Sequence, residues 1–160
     1  MKRLLILAPL LLVAGCADRA RASLTGRWTG GFDVSKVTGK LQTSDPKRND
    51  WQGSIQLYLT DTRCSMHLEG EQEAVDLQGH WHLNHKQIVV RFDSVKIDDA
   101  GGAEGRNPNK AFIAPADLQA AFAIPMTLDI TEKGKALESP LVQIGPLLGS
   151  YRFSKDSLAR

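Results

Sequence analysis

The chain has 160 residues, of which 42% are hydrophobic and 24% charged, with 20 Lys and Arg against 18 Asp and Glu. This length suits a single domain with a substantial core. The nearly equal numbers of basic and acidic residues, without a long basic run, argue against nucleic-acid binding, which needs clustered cations. Two cysteines are too few for a disulfide framework.

The first fifteen residues have the order of charges and apolar residues that is typical of a secretory signal peptide. Lys2 and Arg3 are followed by eleven apolar residues, Leu4 to Ala14, and then by a small residue before Cys16. A helix that spans a bilayer needs roughly 20 apolar residues, so a transmembrane segment is not expected. Removing residues 1–15 would leave 18 basic and 18 acidic residues, because only Lys2 and Arg3 are lost.

The segment from Leu12 to Cys16 (Leu-Val-Ala-Gly-Cys) resembles a bacterial lipobox. This resemblance implies a diacylglyceryl group on the Cys16 thiol, cleavage before Cys16 and an acyl chain on the new amine, and two or more such chains anchor a protein stably. Ala17 rather than an aspartate follows Cys16, which by the same resemblance favours the outer membrane, facing the periplasm. We expect residues 16–23 to be a lipidated tether and residues 24–160 to be one domain.

From Leu24 onward the sequence alternates between apolar and polar residues, as half-buried strands do. The alternation is clearest in residues 28–34, 51–59, 64–68, 75–83 and 88–92, and further strands are expected at 126–131, from 136 and at 149–153. After Asp93 the phase slips so that Val95 and Ile97 are apolar, which predicts a β-bulge.

The connections favour antiparallel neighbours. Residues 70–73 predict a hairpin loop whose register places Arg63 opposite His80 and His67 opposite Asp76.

Other segments are predicted to be turns, loops or helix. Asn84-His85 and residues 132–135 are typical of turns, and residues 35–50 and 98–110 of loops. Residues 115–122 begin with proline and are rich in helix formers, so they predict one short helix.

About eight short strands, one helix and no strand–helix alternation predict an all-β antiparallel up-and-down meander. Such a meander forms a small barrel, either closed or half-open and plugged by the helix. A two-sheet sandwich is the alternative.

Gly26-Arg27-Trp28 resembles the Gly-x-Trp that begins the first strand of lipocalins and related calycin barrels. In those barrels the tryptophan closes the floor and an arginine from the last strand packs across its ring. The resemblance implies that Trp28 and Arg152 form this pair through a cation–π contact.

Two sets of side chains are candidates for chemistry. His80 and His82 share one face of a strand and could ligate a metal ion, although Arg63 beside His80 disfavours this, and exposed polar positions are the alternative. Cys64 alternates with Met66 and Leu68, so we expect a buried thiol and not a nucleophile.

Signatures of common enzymes, such as Gly-x-Ser-x-Gly, a phosphate loop or Cys-x-x-Cys, are missing from the sequence, so we expect neither enzyme activity nor a cofactor. The favoured function is a lipid-anchored accessory or inhibitor module that binds an envelope protein. A lipocalin-like carrier of a small apolar ligand is the alternative, and a metal-handling lipoprotein is a third. A set of bulky aromatic residues is large enough to fill a small barrel, which favours the first: Trp28, Trp51, Trp81, Phe32, Phe92, Phe112 and Phe122.

Overall fold

The computed structural model describes residues 19–38, 53–99 and 113–156. Within these ranges the chain forms strands and two short helical segments. The strands are β1 (Gly26–Val37), β2 (Ser54–Leu59), β3 (Arg63–Glu69), β4 (Glu73–Asn84), β5 (Gln87–Asp99), β6 (Met126–Thr131), β7 (Ala136–Glu138), β8 (Val142–Ile144) and β9 (Leu147–Lys155). The helical segments are α1, residues 19–24, and α2 (Pro115–Phe122).

The strands close into a ring. Each strand from β1 to β6 pairs with the next one in antiparallel orientation, and β9 pairs with both β7 and β1. The ring has eight strand positions, because β8 lies beside β9 on the same edge as β7. The prediction of an all-β antiparallel up-and-down barrel is therefore confirmed in its closed form, and the sandwich and the half-open barrel are not observed.

β7 and β8 together form one interrupted strand along β9. β7 pairs with residues 152–154 and β8 with residues 147–149. Between them Ser139 donates its backbone N–H to the Tyr151 carbonyl at 2.9 Å, and Pro140, which has no N–H, breaks the ladder. The sequence did not predict β8, since three residues are too few to show alternation.

The predicted register and bulge are both confirmed. Arg63 lies opposite His80 and His67 opposite Asp76, as the loop at residues 70–73 implied. In the β4–β5 pair, Phe92 faces Gly79 and Ser94 faces Gln78, so Asp93 is the extra residue of the bulge.

Two local boundaries differ from the predictions. The β4–β5 turn consists of His85 and Lys86, one residue later than expected, because Asn84 still pairs with Gln87; His85 takes the turn's positive φ of 54°. Residues 35–37 extend β1, and residues 98–99 extend β5, where loops were expected. Apart from Thr38, the rest of those loops lies outside the described residues, as does Trp51.

The inward-facing side chains fill the barrel. They form one hydrophobic cluster, and several of its largest members are completely or almost completely buried. These are Trp28, Ile55, Leu57, Leu59, Met66, Leu68, Leu77, Ile88, Ile113, Leu118, Leu128 and Phe153. Of the aromatic residues that the sequence suggested as filling, Trp28, Phe32, Trp81 and Phe122 are buried and Phe92 is partly buried, while Trp51 and Phe112 lie outside the described residues.

The two helical segments occupy opposite ends of the barrel. α1 precedes β1 and buries Leu24 beside the first strand; regular structure here was not predicted. α2 has the predicted bounds, starts with Pro115 and buries Leu118 and Phe122. The Phe122 ring meets Phe92 of β5 edge to face at 5.9 Å, so α2 covers the part of the wall where β5 extends beyond β6.

Glycines allow the close approach of the first and last strands at Gly30 of β1 and at Gly149 of β9, where an added Cβ atom would lie 2.3 Å from the Asp33 carbonyl oxygen. A Cβ atom on Gly30 would lie 1.9 Å from the Arg152 carbonyl oxygen, whereas on the next residue, Gly31, its nearest neighbour would be 3.5 Å away. β1 and β9 therefore need glycine at position 30 for backbone contact.

Candidate functional site

The floor of the barrel, at the end where α1 lies, is built around Trp28. Its ring has no exposed surface, and its indole N–H donates to the Leu24 carbonyl at 2.9 Å. The tryptophan thus links the N-terminal segment to the core.

Arg152 is not the partner of Trp28, so this part of the lipocalin-like prediction is wrong. The Arg152 side chain is 58% exposed, and its guanidinium nitrogens lie 3.3 Å from Glu138 and 3.6 Å from Glu132. A different cation, Lys155, places its Nζ atom 5.5 Å from the centroid of the Trp28 ring.

The alternation of side chains along β9 explains why Lys155, and not Arg152, lies beside Trp28. Tyr151 and Phe153 of β9 face inward, so Arg152 between them must face outward, while Lys155 returns to the inner side. Lys155 is also the residue paired with Trp28 across the two strands. Partial burial lowers the pKa of the Lys155 ammonium.

The candidate metal residues His80 and His82 lie on the exposed outer face of β4. His80 Nδ1 is 2.6 Å from Oδ2 of the bulge residue Asp93. A similar pair joins His67 Nδ1 and Asp76 Oδ1 at 2.7 Å. Among the residues that the structure describes, no three His, Cys, Asp or Glu side chains are grouped so that they could hold a metal ion.

A concavity of about 310 Å³ lies in the wall beside the bulge, where Cys64, Arg63 and Asp93 contribute to its lining. The Cys64 side chain is buried, as predicted. Burial, with a smaller effect of the Asp93 charge, raises the pKa of its thiol to about 11. The thiol is therefore protonated at neutral pH and is a poor nucleophile.

A second, apolar concavity of about 280 Å³ lies between the end of α2, the start of β6 and the β7–β8 interruption. We call it the wall groove. Among the described residues, none that carries a charge lines it. Its lining consists of Ala121, Phe122, Ile124, Pro125, Met126, Thr127, Pro140, Val142, Gln143, Ile144 and Tyr151.

The rim of the wall groove exposes two large apolar side chains. Ile124 is 69% exposed, and Leu141, next to the lining residue Pro140, is 60% exposed. Both flank a proline, which prevents the local chain from joining the sheet and burying them. No sequence pattern predicted this site; the neighbouring apolar residues and prolines were its only signal.

Tyr151 lines the wall groove and is only 3% exposed. Its ring meets Phe32 at 5.1 Å and stacks on Phe153 at 6.2 Å, and burial raises the pKa of its phenol. No described residue forms a hydrogen bond with its hydroxyl group. A bound molecule could provide one.

The membrane-related predictions fall largely outside the described residues. Cys16 and the signal segment 1–15 are not among them. None of the helices within the described part of the chain is both long and apolar enough to cross a bilayer. No family model, curated protein or solved structure matches the sequence.

Proposed function

We propose that this chain is an envelope lipoprotein, anchored through lipid on Cys16, whose barrel acts as an interaction module. The anchor rests on the signal-peptide order and the lipobox resemblance of residues 1–16. The observation that carries the binding role is the wall groove, an uncharged concavity with Ile124 and Leu141 exposed at its rim.

Two features favour a protein partner over a cargo carried inside the barrel. First, the interior is already occupied, since Trp28, Leu57 and Phe153 have no exposed surface. Secondly, exposed apolar side chains beside a concavity are typical of protein–protein contact sites. We therefore expect an apolar segment of an envelope protein to cover the rim and place a side chain in the groove.

Crosslinking in living cells tests this role. A photoreactive amino acid at Ile124 should crosslink a defined partner, whereas the same group at Tyr58, which is 40% exposed on the outer wall, serves as the control. With that partner purified, Leu141→Asp should weaken binding at least tenfold and Tyr58→Asp should not. Equal crosslinking from both positions would contradict the proposal.

The anchor is tested separately. Cys16→Ser should give a protein without acyl chains that leaves the membrane fraction, since each buried CH₂ contributes about 0.8 kcal/mol. A variant that still sediments with membranes after a high-salt wash would show that lipid is not the main anchor.

A carrier of a small apolar ligand is the second candidate, and Tyr151 is the observation that favours it. The hydroxyl group of this largely buried, groove-lining side chain could orient a ligand with one hydrogen-bonding group in an otherwise apolar groove. Solvent extraction of the purified protein, followed by mass spectrometry, should then recover one stoichiometric small molecule. That result, without a protein crosslink from position 124, would replace the interaction module by the carrier.

A further inference from the structure

Within the described ranges, basic and acidic side chains are distributed unevenly between the two ends of the barrel. At the end where α1 lies, which we call the basic end, the described residues include eight Lys and Arg but three Asp and Glu. The basic end comprises residues 19–27, 60–63, 85–86, 132–135 and 155–156. The opposite end, residues 36–38, 53–54, 69–73, 96–98, 113–117 and 145–147, has five acidic and two basic residues.

The basic end is hidden in the sequence because five separate segments build it. In an up-and-down barrel every second turn lies at the same end, so the β2–β3, β4–β5 and β6–β7 turns meet beside α1. Arg63, Lys86, Lys133 and Lys135 are exposed there and have no ion-pair partner among the described residues. Arg27, in contrast, lies 3.5 Å from Asp156.

Side-chain contacts hold the N-terminal segment, residues 19–24, at this same end. The Lys155 ammonium donates to the Ser23 carbonyl, the Trp28 indole donates to the Leu24 carbonyl at 2.9 Å, and the Arg21 guanidinium carbon is 6.0 Å from the Trp81 ring centroid. The chain therefore enters the barrel at a fixed point on the basic end.

Chain length limits how far this end can lie from lipid on Cys16. The three residue steps from Cys16 to residue 19, the first described one, span at most about 10 Å. Charges interact over about 8–10 Å at physiological ionic strength. A lipid on Cys16 would therefore hold the basic end within electrostatic range of the bilayer surface.

We propose that the basic end docks on the anionic phosphate headgroups of the bilayer that holds the lipid. This inference rests on the proposed acylation of Cys16. Each basic residue close to an anionic surface strengthens binding by about fivefold. The wall groove, which lies in the side of the barrel and shares no lining residue with the basic end, then stays clear of the bilayer, so that a soluble segment can reach it.

The test uses the acylated full-length protein in lipid nanodiscs, with a fluorophore on His85→Cys at the basic end or on Glu69→Cys at the opposite end. Buried Cys64 should not be labelled. Acrylamide should quench the fluorophore at position 85 less in anionic than in zwitterionic discs, and 1 M salt should remove the difference. The fluorophore at position 69 should be quenched equally in both.

Charge reversal provides matched variants. The double variant Lys133→Glu, Lys135→Glu should lower the ratio of docked to undocked protein by about 25-fold or more. The double variant Lys36→Glu, Lys96→Glu, at the opposite end, should leave this ratio unchanged. Equal quenching at position 85 in both discs would overturn the proposal. So would protection by a soluble polyanion but not by anionic lipid. A protein whose mass lacks acyl groups would instead refute the proposed anchor.

Discussion

Replacing Trp28 with alanine should remove about 3–5 kcal/mol of unfolding free energy. This is a large part of the roughly 5–15 kcal/mol that holds a typical domain folded. The ring is fully buried at the barrel floor, so its loss leaves a cavity, and the Leu24 carbonyl loses the indole donor that lies 2.9 Å away.

The contact between Trp28 and Lys155 gives a more specific prediction than the loss of Trp28 alone. Lys155→Ala should cost about 0.5–2 kcal/mol through loss of the cation–π contact, less than Trp28→Ala because burial already opposes the charge and lowers the lysine pKa. Much of that cost should vanish when Trp28 is already alanine. Arg152→Ala is the control: its side chain lies in solvent beside Glu138 and Glu132, so its effect should simply add to that of Trp28→Ala.

Urea unfolding followed by far-UV circular dichroism gives the free energy of each single and double variant. Additive behaviour holds within about 0.3–0.5 kcal/mol for independent sites. A coupling above that range for Lys155 with Trp28, and none for Arg152 with Trp28, is expected. Additivity for Lys155 together with coupling for Arg152 would refute the assignment of the floor cation.

Three further predictions follow from the core and the outer face. Gly30→Ala should lower the free energy of unfolding in urea by more than about 2 kcal/mol, because its Cβ atom would lie 1.9 Å from a β9 carbonyl oxygen. Gly31→Ala, whose Cβ atom would have its nearest neighbour at 3.5 Å, should lower it by about 1 kcal/mol or less. Equal losses from the two variants would be inconsistent with the close approach. Since burial raises the pKa of the Cys64 thiol to about 11, only about a thousandth of it is ionised at pH 8. A thiol reagent should therefore modify Cys64 quickly only in denaturant. Rapid modification of the folded protein would contradict the burial of this side chain. Micromolar zinc should not raise the melting temperature, and an increase abolished by His80→Ala with His82→Ala would show that a metal site exists.

The barrel could be predicted from the sequence because the patterns that specify its strands and turns lie within short stretches of the chain. Alternation identifies the inward face of each strand, and a short loop at residues 70–73 fixes the partner of every residue in the β3–β4 hairpin. The phase slip after Asp93 likewise marked the bulge, since one extra residue must turn the following side chains to the other face. The β4–β5 turn lies one residue later than predicted, because Asn84, a residue that favours such turns, instead pairs with Gln87 as part of the ladder.

The sites were less predictable because they depend on segments that are distant in the sequence. The wall groove combines the end of α2 with a strand interrupted at Pro140, and no local pattern links them. The floor cation, however, could have been found: alternation through Tyr151 and Phe153 places Lys155 inside and Arg152 outside. Family resemblance pointed to an arginine there, and the alternation of the sequence itself was the better guide.

The covering of the wall by α2 has a consequence for how the barrel opens. Beyond Val90 the free edge of β5 pairs with no described strand, and the helix covers this region with side chains such as Phe122 rather than with a backbone ladder. Releasing the helix therefore breaks no inter-strand hydrogen bonds. In amide hydrogen exchange, α2 should open with a lower free energy than the β1–β4 ladders, as a separate cooperative unit. Each such opening would widen the wall groove while the rest of the barrel stays intact.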